Sequence, residues 1–180
     1  NSNLIRDIVF KISENNKIKI NKILFKGNKS FSDFRLRWQL KETKQQPFYM
    51  FWRSTFNNSS FEEDKELLST FYRNKGYRDF EILEDSITYS KNLKKMNITL
   101  TISEGEKYKY RNFSWEGMSL FSEEDLQNTL SIDKGDQFSD EEFNLALFSR
   151  VQGLYLDRGY IYSRIDPQIT PIGPDSLDIH

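Results

Sequence analysis

Between residues 94 and 104 the chain alternates: Met96, Ile98, Leu100 and Ile102 are apolar, while Asn97, Thr99, Thr101 and Ser103 are polar. A period of two lines one face of a strand, so this stretch predicts a strand with one buried and one wet face. Residues 77–90, across the Lys91-Asn92 turn, predict its antiparallel partner. Upstream the period changes. Leu67, Leu68, Phe71 and Tyr72 recur at helical spacing, as do Leu147, Val151, Leu154 and Tyr155, and each set marks one helix face. Acidic residues 62–64 suit a helix start near Ser60, and Ser139-x-x-Glu142, with Phe138 stapling Phe143, reads as a capping box. Gly76 and Gly159, each following a basic residue in the last turn, end these helices. Shorter helices start at Ser32 and Ser122, with Phe31 and Phe121 packing back onto Leu36 and Leu126. Ahead of them lie two strands, one with Ile20, Ile23 and Phe25 inward and one with Tyr110, Phe113 and Trp115. Each steps by three once, which implies a bulge or a late start to the inner face.

These elements occur twice. At an offset of 90, Ile23 and Phe25 return as Phe113 and Trp115, Gly27 as Gly117, Phe31-Ser32 as Phe121-Ser122, and Leu36 and Leu40 as Leu126 and Leu130. Past the first helix the offset is 83: Phe71-Tyr72 returns as Leu154-Tyr155 and Lys75-Gly76-Tyr77 as Arg158-Gly159-Tyr160. Such repetition means one supersecondary unit used twice. The unit is β-α-α-β-β, an α+β fold of three mixed strands with two helices on one face. Residues 7–14 match 97–104, so 1–15 read as the last strand of a preceding copy. The first complete copy spans 16–105, with an aromatic insert at 43–58, and the second spans 106–180, truncated in its last strand. The hairpin and a helical crossover put the first strand beside the last. The remaining strand, 77–90 or 160–169, then lies on an edge, which suits Pro167.

Composition narrows the function classes. There is no cysteine, so disulfide scaffolds and thiolate metal sites are excluded. No apolar run is long enough for a membrane helix. The net charge of −1 hides an asymmetry: residues 1–104 hold 19 Lys/Arg against 13 Asp/Glu, and residues 105–180 hold 7 against 14. The only histidine is His180, no glycine loop cradles phosphate, and the acidic clusters sit where helix starts favour negative charge. Nothing here assembles a catalytic, metal or cofactor site, and the split charge gives no basic platform for nucleic acid.

The ordered set of Gly-Asn, Phe-Ser-Asp, an acidic helix start, Phe-Tyr-Arg-Asn-Lys-Gly-Tyr, a hairpin and Ser-Glu-Gly-Glu-Lys-Tyr resembles the POTRA domains of bacterial outer-membrane protein insertases. The resemblance runs from Asp7 to Ile179 and appears twice. It implies the periplasmic part of an outer-membrane protein. It also implies an array that receives unfolded outer-membrane proteins, docks accessory lipoproteins and precedes a membrane β-barrel on the same polypeptide. Two rival readings stand beside it. One is the POTRA domains of a two-partner secretion or related translocation barrel, and the other, of another class, is a nucleic-acid-binding αβ module.

Three groups of residues are expected to carry function. The edge strand of the first copy, with Phe80, Glu81, Ile82, Glu84, Ile87 and Tyr89, offers backbone groups to an added strand whatever the partner's sequence. Phe48, Tyr49, Phe51 and Trp52 of the insert are too aromatic for a solvated loop, and either fold back onto their own or the neighbouring domain or form a docking patch for a partner. Glu104, Gly105 and Glu106 lie between the copies as an inter-domain hinge.

Overall fold

The computed structural model describes residue 10, residues 18–45 and residues 56–180. The elements run β1 (Lys19–Lys26), α1 (Asp33–Gln39), α2 (Asn58–Arg73), β2 (Glu81–Tyr89) and β3 (Lys95–Ser103) in the first domain. In the second they run β4 (Lys109–Phe113), α3 (Glu123–Leu130), α4, β5 (Ile169–Ile172) and β6 (Ser176–Ile179). The helix α4 is continuous but not uniform: an α-helical start Asp140–Asn144, a π-helical stretch Leu145–Val151 and an α-helical end Gln152–Asp157.

Each domain has a three-stranded mixed sheet, ordered β1-β3-β2 and β4-β6-β5. The first and last strands of each unit pair parallel, and the hairpin strands pair antiparallel. The three-residue steps are bulges: the register shifts between Ile20 and Lys22 and again between Tyr110 and Asn112. One extra residue per strand keeps Ile20, Ile23 and Phe25 all on the buried face. Met96, Ile98, Leu100 and Ile102 of β3 are buried as alternation requires. With Leu36, Leu40, Phe61, Leu68 and Tyr72 from the helices they make the first core. Tyr110, Phe113, Leu126, Leu130, Phe143, Val151 and Leu177 anchor the second.

Local caps explain where the helices begin. Ser32 Oγ accepts from the N–H of Arg35. Ser122 and Asp125 bond reciprocally as a capping box. The start of α2 differs from expectation: Asn57 is the N-cap, accepting from Ser59 and Ser60, so residues 62–64 lie a turn inside the helix. They serve other purposes there. Glu62 pairs with Lys65 at 2.9 Å. Asp64 is buried and accepts from the N–H groups of Lys41, Glu42 and Thr43 at 2.5, 3.1 and 2.5 Å, fixing the turn that follows α1.

The strand expected at 160–169 is not formed. Residues 160–168 are irregular and β5 has only four residues, Ile169–Ile172, with Pro171 in it. Tyr160, Ile161 and Tyr162 have strand-forming side chains, but all three are exposed, so no packing favours the extended pairing their propensity suggests.

Candidate functional site

β2 is the outer strand of the first sheet, and no described residue pairs with its outer edge. It is a nine-residue strand held from one side by β3. Ile82 and Ile87 pack against the core, and both are partly buried. Their separation of five is odd, which a period of two forbids, and the register shifts between Ile82 and Glu84 to absorb it. Leu83 sits in this bulge with its side chain 61% exposed, and Tyr89 at the strand's end is 53% exposed. Glu81 and Glu84 are exposed. Phe80 belongs to the core: it is buried and stacks on Tyr72 with ring centres 4.1 Å apart.

Past the bulge, Asp85 stands opposite the buried Leu100 and so faces the helices. It accepts from Lys65 Nζ of α2 at 2.6 Å, and Lys65 also reaches Glu62. Partial burial pulls the Lys65 pKa down, but the bonds to Asp85 and Glu62 outweigh it and raise it above the ordinary lysine value. Strand and helix thus enclose a groove of about 490 Å³, lined by Glu62, Lys65, Glu66, Ser69 and Arg73 on α2 and by residues 80–85 on the strand. The edge was legible from the sequence, but Leu83 and the groove were not. The odd spacing from Ile82 to Ile87 was the available signal.

The second domain offers a shorter edge in β5, which Pro171 interrupts. Its opposite edge is covered. Phe138 N–H donates to the Tyr108 carbonyl, Gly135 N–H to the Tyr110 carbonyl, and Tyr110 N–H to the Asp136 carbonyl.

Phe48, Tyr49, Phe51 and Trp52 lie outside the described residues. A separate aromatic patch is visible on α1, where Phe34 and Trp38 are 65% and 69% exposed and meet edge to face at 6.1 Å. They are four apart on one helix, a spacing that by itself reads as a core face.

At the junction, Glu104 turns back into the first domain. Its carboxylate is buried and accepts from the N–H groups of Lys29 and Ser30 at 3.0 and 3.1 Å, from Ser30 Oγ at 2.8 Å and from Tyr72 Oη at 2.9 Å. Gly105 and Glu106 are exposed. Two further sets of bonds join the domains. Asn74 exchanges a pair with Glu141, through its Nδ2 to Glu141 Oε2 and from the Glu141 N–H to its Oδ1, at 2.8 and 2.9 Å. Tyr108 donates its N–H to the Gly76 carbonyl at 2.9 Å and its hydroxyl to Asp79 at 2.7 Å. Among the described residues no cluster of His, Cys, Asp and Glu could hold a metal ion, and no helix is long and apolar enough to cross a membrane.

Known proteins share this geometry. The chain is 31% identical over 167 residues to the outer membrane protein assembly factor BamA of Neisseria meningitidis serogroup B, a match that spans 92% of this chain and 21% of that protein. It is 27% identical over 164 residues to the BamA of Buchnera aphidicola, across 88% of this chain and 26% of that protein. The chain therefore spans about a quarter or less of these relatives. Among solved structures, Haemophilus influenzae BamA POTRA3-5 superposes with a TM-score of 0.67 at 24% identity, covering 90% of this chain and 64% of that one. POTRA1-2 of the periplasmic domain of Omp85 from Anabaena gives 0.52 at 15% identity, covering 91% and 94%. The POTRA family model, described as a surface antigen variable number repeat, matches residues 18–105 and again 108–180, the two sheets just described. By these two consecutive matches and the fold they fall on, the chain belongs to the POTRA family.

Proposed function

We propose that this chain is a non-catalytic binding module on the periplasmic side of an outer-membrane β-barrel assembly protein, and that β2 receives unfolded barrel strands by pairing along its outer edge. The observation that carries the reading is the open nine-residue edge beside the α2 groove. Backbone N–H and C=O groups accept a strand of any sequence, as a module handling many barrel clients requires. Leu83 and Tyr89 add apolar contact at the edge, while Glu81 and Glu84 keep it from pairing with its own kind. BamA homologues named for outer-membrane assembly support the setting. The membrane β-barrel belongs to the same polypeptide, and accessory lipoproteins dock on aromatic surface, the Phe34–Trp38 patch and the insert with Phe48, Tyr49, Phe51 and Trp52. Gly105 and Glu106 are the points at which the domains turn on one another.

The test is a titration with a ten-residue peptide of alternating apolar and polar residues from a membrane β-barrel, followed by amide chemical shifts. Shifts should concentrate at residues 81–89 and along the facing side of α2. Proline at whichever of Ile82 and Ile87 directs its N–H outward should weaken binding and leave helix content unchanged. Shifts confined to the helices would overturn strand addition.

A further inference from the structure

The hairpin between β2 and β3 fixes which residues of β2 face the open side. The Ser90 N–H donates to the Lys95 carbonyl at 2.8 Å, continuing the register in which Tyr89 stands opposite Met96. In an antiparallel pair every second residue bonds across, so Ser86, Thr88 and Ser90 direct their backbone groups to β3. Asp85, Ile87 and Tyr89 direct theirs outward. Their side chains share the helix face of the sheet, because they stand opposite the buried Leu100, Ile98 and Met96. The bulge between Ile82 and Glu84 breaks the ladder, so Asp85 is the first outward residue of the regular edge.

The three outward positions differ in their surroundings. Ile87 is half-buried against the core, and Tyr89 is an exposed aromatic. Around Asp85 the surface is charged and unbalanced. Of the charged residues lining the α2 groove, five are acidic and two are basic. One of the two bases, Lys65, is already shared between Asp85 and Glu62, at 2.6 and 2.9 Å. The other, Arg73, lies two turns further along α2, roughly 12 Å away along the axis. No described residue forms an ion pair with the exposed Glu66.

We propose that β2 selects its added strand by charge: a lysine or arginine stands opposite Asp85, and apolar residues stand opposite Ile87 and Tyr89. Directly opposed residues of a sheet point to the same face whichever way the added strand runs, so the side chain opposite Asp85 projects toward α2. A cation there joins the network in which Lys65 bridges Asp85 and Glu62, whereas an anion adds to its excess of negative charge. A membrane-barrel strand meets the pattern where its lipid-facing apolar row reaches the membrane boundary and a basic residue follows. This selection presupposes strand addition at β2.

The experiment titrates the chain with three end-blocked peptides and follows amide chemical shifts. Lys-Thr-Leu-Thr-Leu-Thr-Lys carries its lysines and leucines on one face and is the same in both directions, so it presents a lysine to Asp85 either way. Glu-Thr-Leu-Thr-Leu-Thr-Glu replaces both cations. Thr-Lys-Leu-Thr-Leu-Lys-Thr keeps the first peptide's composition and moves its lysines to the opposite face. At low salt the first should bind at residues 85–89 about threefold or more tightly than either of the others, the swing expected when an exposed ion pair is lost or reversed. Raising the salt should narrow that margin. Glu62→Gln with Glu66→Gln, both at exposed positions, should shrink the margin over the glutamate peptide while the shifts stay at residues 85–89. Equal binding of the three peptides at residues 85–89 overturns charge selection and leaves strand addition standing. Absence of shifts there with every peptide overturns both. A margin that the double variant leaves untouched also overturns the proposal, because the groove carboxylates would not be its source.

Discussion

Tyr72 and Glu104 show how single side chains tie a strand's end to a helix. The phenol donates to the carboxylate at 2.9 Å inside the first core. Burial, and then the neighbouring Glu104, raise the Tyr72 pKa well above the ordinary tyrosine value. A raised pKa means the neutral phenol is favoured in the fold, so this contribution is complete below about pH 10 and is lost as pH rises beyond it. Glu104→Ala should destabilise the first domain by about 1–3 kcal/mol, chiefly by leaving the Tyr72 hydroxyl buried without its acceptor. Adding Tyr72→Phe should cost much less than it does alone, because the pair acts as a unit. Urea denaturation of the two singles and the double checks this, and simple additivity would count against the coupling. Gly27→Ala should be as severe for a different reason. The φ of +90° costs about 1–3 kcal/mol for a non-glycine residue, and the Ile102 carbonyl 2.1 Å from the new methyl adds a clash. Gly117→Ala in the same chain should carry the backbone cost alone, so unequal losses are expected from two matching substitutions.

At the scale of elements, the sequence is legible where the pattern answers to one constraint. Alternation in residues 96–102 and the three-residue step after Ile20 gave β3 and the bulge of β1, because a buried face leaves no freedom in register. Elements that answer to two constraints were hidden. The second strand of the second copy looked extended from Tyr160 onward, yet pairing depends on partners a local pattern does not contain, and it begins at Ile169. Serine ahead of acidic residues imitates a cap at Ser60, while Asn57 does the capping and Asp64 holds a distant turn. The π-helical stretch of α4 is visible only in arithmetic. The caps Asn57 and Ser139 are 82 apart, but the glycines Gly76 and Gly159 are 83 apart, and the wider turn takes up the odd residue. Caps can be tested by pH. Hydrogen bonds from the Ser122 side chain and then its backbone hold the Asp125 carboxyl below the usual carboxylate range. A lowered pKa gives stability that is present above about pH 4 and lost as pH falls through the folded value. Asp125→Asn should therefore flatten the acid limb of second-domain stability below about pH 4, measured by helix signal at fixed urea. An unchanged limb would show the cap does not titrate with the fold.

For the whole molecule, the bonds between the domains decide how independent they are. Any turning at Gly105 and Glu106 works against the Asn74–Glu141 pair and the two bonds of Tyr108. Asn74→Ala with Tyr108→Phe should widen the range of inter-domain orientations seen by residual dipolar couplings while leaving both sheets intact, and an unaltered range would place the restraint elsewhere. The position of Tyr108 has a wider implication. It is buried among the second core yet is held by a carbonyl and a carboxylate of the first domain. The stretch that repeats, from one first strand to the next, should therefore not melt as an independent piece. Heat should not release the copies one by one as beads: each lends its neighbour part of its melting temperature, as nearest-neighbour coupling in stacked arrays does. Residues 106–180 expressed alone should then melt below the same residues in the pair, even though no residue of their own sheet has been removed.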